Sequence, residues 1–457
     1  MTKEFELKDL FNTSVGSSHL PVIDAEADIA PAITQTLNDK TNCFITGPAG
    51  TGKSYIVNQV MRHTNVSVAL TASTGIAAMN IGGCTIHSWS GINAYPSEDY
   101  LDKIIKKKNF YFIKVRIRST QLLIIDEIGM MKAGQLDLLD AVCRVAKYGL
   151  AAYKDSPPFG GLQVVFTGDF LQIPPVTQGS MHAPYLWAFE SHVWKKMMDE
   201  KSIKLFNLTK IHRQDNLEFQ NILNNARIGK PTQEDIEILS SRSRGNVTAK
   251  GPTITPTRFV GTNVAVAQGN STELSKATGK LHTFNAKIEV SPKFQQWAAD
   301  TTSQLIACSK MENVLQVKVG MPVMMLINRN TEDETFVNGS MGIFKGVDKD
   351  GNPVITLKSN GRDVTVSTYT DELKIDDDTA KASMEQYPFR LAHYMTFHKS
   401  QGLTLDAVEV NMAQIFNPGM AYVGLSRVKT LEGLTIRNFN PRMIRADARA
   451  LRFYGIK

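Results

Sequence analysis

The segment Gly47-Pro48-Ala49-Gly50-Thr51-Gly52-Lys53-Ser54 constrains this chain more than any other. It follows a short apolar stretch, Asn42–Thr46, and opens a helical pattern that starts at Lys53. The glycines let successive backbone N–H groups turn inward, which suits a phosphate chain. The helix start behind Gly52 adds its partial positive charge. Lys53 can then reach β- and γ-phosphates, and the Ser54 hydroxyl can ligate Mg²⁺. A strand, a phosphate loop and a crossover helix in that order demand a parallel α/β sheet.

The surrounding pattern agrees. Strands are expected at Val66–Thr71, Leu122–Ile125 and Val164–Thr167, with helices between them, notably Ala133–Lys147. Four apolar residues carry Asp126 to the tip of the second of these strands. There it can hold the Mg²⁺ shell, and Glu127 beside it can polarise an attacking water. The third strand runs into Gly168–Pro175, which places the Gln172 amide on the same sheet edge, able to sense a γ-phosphate or simply polar loop.

The α/β texture returns at Thr253–Thr255, with a helix near Phe259–Gln268, and again at Ala392–Thr396, Ala407–Asn411 and Leu434–Ile436. Between them, Val314–Thr368 alternates with period two and is cut by Asn338-Gly339, Asp350-Gly351 and Asn360-Gly361. Such dipeptides favour type I′ hairpins, so a small antiparallel module is expected, followed by an acidic linker at Asp371–Asp378.

The 457 residues suggest about three domains or subdomains. No apolar run approaches the ~20 residues of a membrane span, and the mixed-charge start MTKEFELKDL lacks the apolar core of a secretory signal. Cys43, Cys84, Cys143 and Cys308 form no close metal-type pair and are expected to be buried free thiols. The net charge is +7, and +6 of it lies in Leu101–Thr120: Lys103, Lys106, Lys107, Lys108, Lys114, Arg116 and Arg118 against Asp102, with Phe110, Tyr111 and Phe112 interleaved. That stretch is either a solvated helix face running into a strand or a basic surface for nucleic-acid phosphate.

Eight ordered segments carry a resemblance. They are the phosphate loop, Thr71–Ile92, Asp126–Met130, Gly168–Pro175, Leu208–Gln214, Val319–Met324, Thr396–Asp406 and Ala421–Arg427. From about residue 43 to 437 the chain resembles the Pif-type (petite integration frequency) DNA helicases, in the RecD- and Dda-related branch of superfamily one. The resemblance implies an α/β fold of two RecA-like P-loop NTPase domains, with a small wedge insertion in the first and an SH3-like β insertion in the second. The expected bounds are 1–40 for an N-terminal extension and 41–200 for the first domain, with the wedge at about 76–90. The second domain takes 201–270 and 388–457, and the β insertion 271–387.

The resemblance also implies an ATP- and Mg²⁺-dependent motor that moves 5′-to-3′ along single-stranded DNA and unwinds forked duplex. It would act as a cytoplasmic, nucleoid-associated monomer of bacterial or phage origin, with no membrane partner. ATP would touch Gly47, Pro48, Ala49, Gly50, Thr51, Gly52, Lys53, Ser54, Gln172 and Gly402, and Arg213 and Arg427 would reach its γ-phosphate. DNA would meet Thr71, Ser73, Thr74, His87 and Ser88, then Thr257, Asn263, His398, Lys399 and Thr404. Trp89 would stack a base or belong to the core. Two positions depart from the family pattern. The adenine-reading Gln is missing from the window 21–30, which leaves Glu26 or a backbone group, and Met420 replaces a Gln. The competing functions are a translocase that strips proteins with little unwinding, a P-loop kinase or small-molecule ATPase, and a nucleic-acid scaffold with vestigial ATPase parts. Lys53, Asp126, Glu127 and Arg427 weigh against the scaffold, and residues 206–437 against the kinase.

Overall fold

The computed structural model describes residues 22–23, 36, 38–92, 100–106, 110–176, 185–243, 256–309, 311–327, 329–331, 334–336, 340–358, 360–374 and 380–456. Several sequence-based expectations lie outside them: most of the 1–40 extension and its adenine-reading window, Lys107 and Lys108, the strand at 253–255, the Asn338-Gly339 turn, and residues 375–378 of the acidic segment. The chain forms two compact units, Met1–Pro256 with Phe397–Lys457, and Thr257–Thr396.

The first unit is built on a parallel seven-stranded sheet. Its strands are β1 (Val22–Ile23), β2 (Asn42–Thr46), β3 (Val68–Ala72), β4 (Cys84–Thr85), β5 (Leu122–Asp126), β6 (Gln163–Gly168) and β7 (Ile203–Leu208). Their order across the sheet is β1-β7-β2-β6-β5-β3-β4. Both faces are covered, so alternate residues of each strand enter different cores. Phe44, Leu123, Ile125, Val164 and Phe166 join one cluster, under helices Ala133–Tyr148, His192–Asp199 and Ala448–Phe453. Cys43, Ile45, Leu122, Ile124 and Val165 join the other, under Ile56, Val57 and Val60 of helix Lys53–His63. The same unit holds a parallel pair, Val408–Asn411 with Leu434–Arg437.

This layering sets the site. β2, β6 and β5 are neighbours, so the loop after β2 and the carboxylates ending β5 flank the tip of β6. Glycine 149, at φ 82°, ends the long helix Ala133–Tyr148.

In the second unit, Thr257–Val260 pairs in parallel with Tyr394–Thr396, and helix Asn263–Lys276 follows. A five-stranded antiparallel sheet runs 363–365, 353–357, 341–347, 322–325, 389–391. Its core includes Val323, Phe344, Ile355 and Phe389.

Five expectations change. Phe259 belongs to a strand, because Thr257-Arg258-Phe259-Val260 is β-favouring; the helix begins only after Thr262, whose hydroxyl caps Ala265 N. Asp371–Lys374 is no linker but part of strand Tyr369–Lys374, paired with Ala380–Gln386. The Asp350-Gly351 and Asn360-Gly361 turns are not type I′, since only the glycines have positive φ, 86° and 71°. Asp348 pairs with Asn352 across three loop residues, the geometry of a turn closed by one left-handed glycine. Among the described residues of Leu101–Thr120 there is no strand; helices Tyr100–Ile105 and Phe110–Ser119 lie there. Cys43 and Cys143 are buried free thiols, but Cys84 on the edge strand β4 is exposed.

Candidate nucleotide site and nucleic-acid interface

Between β2 and helix Lys53–His63 the loop curls tightly, with Gly50 and Gly52 at φ 84° and 86°. A Cβ on Gly50 would lie 2.6 Å from Cβ of Arg213, so a side chain there cannot fit. Thr51 Oγ1 donates to Pro48 O at 2.9 Å and braces the turn. The Lys53 ammonium donates to Gly47 O at 2.7 Å and Pro48 O at 2.9 Å, and burial pulls its pKa down. Ser54 is exposed in the first helical turn.

Asp126 ends β5 with its carboxylate buried. Oδ1 accepts hydrogen bonds from the Thr167 hydroxyl on β6 and from Glu127 N at 2.9 Å. Burial raises its pKa. Glu127 takes φ 53°, ψ 44°, a left-handed backbone that a non-glycine adopts at a cost of about 1–3 kcal/mol. Ser73 holds it there, donating from Oγ to Glu127 O at 2.6 Å. Burial, then the neighbouring Asp126 charge, pushes the Glu127 carboxyl up to about 7. Among the described residues, no three His, Cys, Asp or Glu side chains group to hold a metal. A carboxylate at the tip of β5 and a serine hydroxyl in the first turn of the helix after the loop nonetheless suit Mg²⁺, which takes few protein ligands and shares its shell with phosphates and water.

A cavity of about 540 Å³ opens over the loop. Its lining includes Ala49, Gly50, Gly52, Lys53, Ser54, Glu127, Gln172, Arg213, Gly402 and Arg427. Arg213 Nη1 donates to Ser426 O at 3.0 Å. Arg427 is almost fully buried; Nε donates to Val423 O at 2.9 Å and Nη2 to Ser426 Oγ at 2.7 Å. Burial, then the neighbouring Arg213 charge, lowers its pKa to about 9. Both guanidiniums face the cavity that Glu127 also lines, and the hydrogen bonds described for them go to neutral acceptors, an arrangement suited to binding an anion. Gln172 is buried, and Gln401 Nε2 donates to its Oε1 at 3.4 Å.

Sequence reasoning missed a buried polar network behind the loop. Arg227 grips Asp169, at the end of β6, with two bonds of 2.9 and 2.8 Å. Its guanidinium also lies 5.4 Å from the Tyr454 ring centre. Tyr454 OH meets Thr46 Oγ1 at 2.7 Å and accepts from Phe170 N at 3.1 Å. Tyr422 OH accepts from Ala49 N at 2.7 Å, directly on the phosphate loop. Asp169 and Tyr422 stand inside the quoted motifs, which was a usable signal. Arg227 and Tyr454 sit in ordinary helical patterns and gave none.

The residues expected to meet DNA divide. Thr71 is buried, its hydroxyl donating to Ile124 O at 2.6 Å; Ser73 is spent on Glu127; Thr257 is buried and donates to Ala392 O at 3.2 Å. Trp89 is 3% exposed and packs in the sheet core, so its ring offers no face to a base. Those four side chains are structural here because each satisfies a buried partner or fills the core. Ser88 and Asn263 are exposed, and Thr74, His87, His398 and Lys399 are half-buried. His87 Nε2 lies 3.3 Å from Gln135 Nε2, and burial lowers the pKa of His87 and His398. Thr404 lines the phosphate cavity.

A buried parallel sheet with a phosphate loop on one strand tip and an Asp-Glu pair on another defines a P-loop NTPase core. The family model described as PIF1-like helicase matches residues 24–237. The human ATP-dependent DNA helicase PIF1 is 33% identical over 431 residues, 93% of this chain and 62% of that protein. The ATP-dependent DNA helicase Pif1 of Bdellovibrio bacteriovorus is 30% identical, covering 92% of this chain and 89% of its own length. The crystal structure of Candida albicans Pif1 helicase superposes with a TM-score of 0.77 at 31% identity, covering 95% of this chain and 99% of that one. The chain belongs to the PIF1-like helicase family, and its fold is α/β with the two RecA-like domains of that family. It spans about three-fifths of the length of the human protein. No helix among the described residues is long and apolar enough to cross a membrane.

Proposed function

We propose that this chain is an ATP-dependent DNA helicase that moves 5′-to-3′ on single-stranded DNA and unwinds forked duplex. One observation carries the reading: a single cavity gathers Lys53, Glu127, Gln172, Arg213 and Arg427 around the phosphate loop. ATP would lie on the N–H groups of residues 47–54. Glu127, as carboxylate, orients a water and takes its proton as the water oxygen attacks the γ-phosphorus; the bond from that phosphorus to the β–γ bridging oxygen breaks, and ADP leaves with the bridging oxygen's electrons. Arg213 and Arg427 neutralise charge on the transferred group, and Gln172 reports its loss through Gln401. Ser54 and Asp126 would hold Mg²⁺, which when bound neutralises phosphate charge.

The names of the relatives support DNA as the track. On this chain Thr74, His87, Ser88, Asn263, His398 and Lys399 are the contacts we assign, with neutral donors binding phosphate without reading sequence. In this reading the first RecA-like domain is 41–200, with a wedge near 76–90. The second is 201–270 with 388–457, and 271–387 is its SH3-like insertion. The motor acts as a monomer, in the cytoplasm at the nucleoid of a bacterial or phage-infected cell. The test is unwinding of duplexes with only a 5′ tail, only a 3′ tail, or none. ATP-driven unwinding of the 5′-tailed substrate is expected. Unwinding of the 3′-tailed duplex alone would overturn the direction, and DNA-stimulated ATPase without unwinding would favour a protein-stripping translocase.

A further inference from the structure

Helix Phe110–Ser119 buries Ile113 and Ile117 and turns its other side outward. On that side Tyr111 is 67% exposed, and Phe112 and Val115 are each 48% exposed. The two rings meet edge to face, with centroids 5.7 Å apart. Adjacent exposed aromatics are uncommon on a soluble surface without a partner. The charge around them is one-sided: Asp102 is the sole carboxylate of residues 100–106 and 110–119, against Lys103, Lys106, Lys114, Arg116 and Arg118. Arg118 is committed, donating from Nε to Ala146 O at 2.7 Å. Among the described residues, no carboxylate pairs with Lys106, Lys114 or Arg116.

The face is tied to the proposed DNA track. Arg116 Nη1 reaches Ser88 O at 3.4 Å, and Phe112 stands one helical turn from Arg116. Gly91, left-handed at φ 74°, ends helix Ile86–Ser90 and leaves room for Ile113, which seats the two helices together. Ser88, Arg116, Phe112 and Tyr111 thus form a continuous path of phosphate donors and π-faces. Aromatic rings interleaved with cations are the chemistry of sequence-tolerant single-strand binding. A protein partner would need no such one-sided excess of cations, and a duplex would leave the rings without bases to stack on.

We propose that the outer face of this helix is an accessory surface for single-stranded DNA, with Tyr111 and Phe112 stacking bases and Lys114 and Arg116 taking adjacent phosphates. The inference rests on the reading of the chain as a DNA-dependent motor. It is tested with the full chain and two oligothymidylates: a short one that just saturates ATPase stimulation, and a longer one that can also cover this face. The wild type should bind the longer strand more tightly. The triple variant Tyr111→Ala, Phe112→Ala, Lys114→Glu should lose about tenfold of that gain. Its ATPase on the short strand should stay unchanged, since none of the three lines the cavity. Rescue by Tyr111→Phe with the other two residues native separates stacking from fold. A length-dependent gain that persists in the variant, or a loss confined to duplex binding, overturns the proposal. Absence of any DNA-stimulated ATPase in the wild type would instead overturn the motor reading.

Discussion

At the scale of single residues, Glu127 is the most informative side chain. Its backbone is held left-handed, and its carboxyl titrates at about 7, against an ordinary 4.5. A carboxyl whose folded pKa is raised stabilises the fold fully below its unfolded pKa. That stabilisation is lost as pH rises through the folded pKa. Between pH 4.5 and about 7 the nucleotide-free protein should therefore lose stability through this group. Glu127→Gln keeps a neutral amide, so its melting temperature relative to wild type should rise over that window while ATP turnover falls to near background. A difference in melting temperature that is flat with pH would show that Glu127 ionises freely. Tyr422 poses a different question. Its hydroxyl sits on Ala49 N, inside a loop whose N–H groups are needed for phosphate. Tyr422→Phe removes only that oxygen and leaves the ring in its buried seat. ATP affinity should change by about the worth of one hydrogen bond, 0.5–1.5 kcal/mol or some two- to tenfold, with the fold intact. Equal ATP binding in both proteins would make the hydroxyl a packing detail.

At the scale of elements, legibility followed locality. The strand ending in Asp126 was readable because four consecutive apolar residues carry it, and the phosphate loop because its eight residues are contiguous. Strand Thr257–Val260 was missed because half of its context comes from a pairing partner at Tyr394–Thr396, more than a hundred residues away. The acidic strand Tyr369–Lys374 likewise owes its extension to Ala380–Gln386, not to its own propensity. The Tyr422–Ala49 bond joins residues 373 apart, and no spacing rule reaches that far. Helix Ile86–Ser90 shows the same limit within one turn: His87 and Ser88 look toward solvent to different degrees, while Trp89 enters the core. Trp89→Ala should cost about 3–5 kcal/mol of stability, the usual result of emptying a buried aromatic site. Trp89→Phe should recover most of it and bind DNA as the wild type does. Reduced single-strand affinity of Trp89→Phe at unchanged stability would return this ring to the DNA.

At the scale of the whole molecule, charge and hydroxyl chemistry set how the protein should respond to salt and sequence. The net charge of +7 is small for 457 residues, and most of it is concentrated in one twenty-residue stretch. Long-range attraction to DNA is therefore local, not a property of the whole surface. Each phosphate neutralised on a single strand contributes a slope of about −0.7 in log affinity against log salt. The contacts assigned to the track are two hydroxyls, two imidazoles and an amide, with Lys399 as a cation, so they should contribute little to that slope. The helix at Phe110–Ser119 supplies Lys114 and Arg116, so a short oligonucleotide confined to the track should show a shallow slope. One long enough to reach the helix should show a slope steeper by about 1.4, two phosphates' worth. Neither strand should reveal much base preference, because stacking and phosphate contacts are indifferent to base edges. Binding titrations at several salt concentrations, on homopolymeric and mixed strands of both lengths, check all of this together. Equal slopes at the two lengths would place the basic helix outside the DNA path.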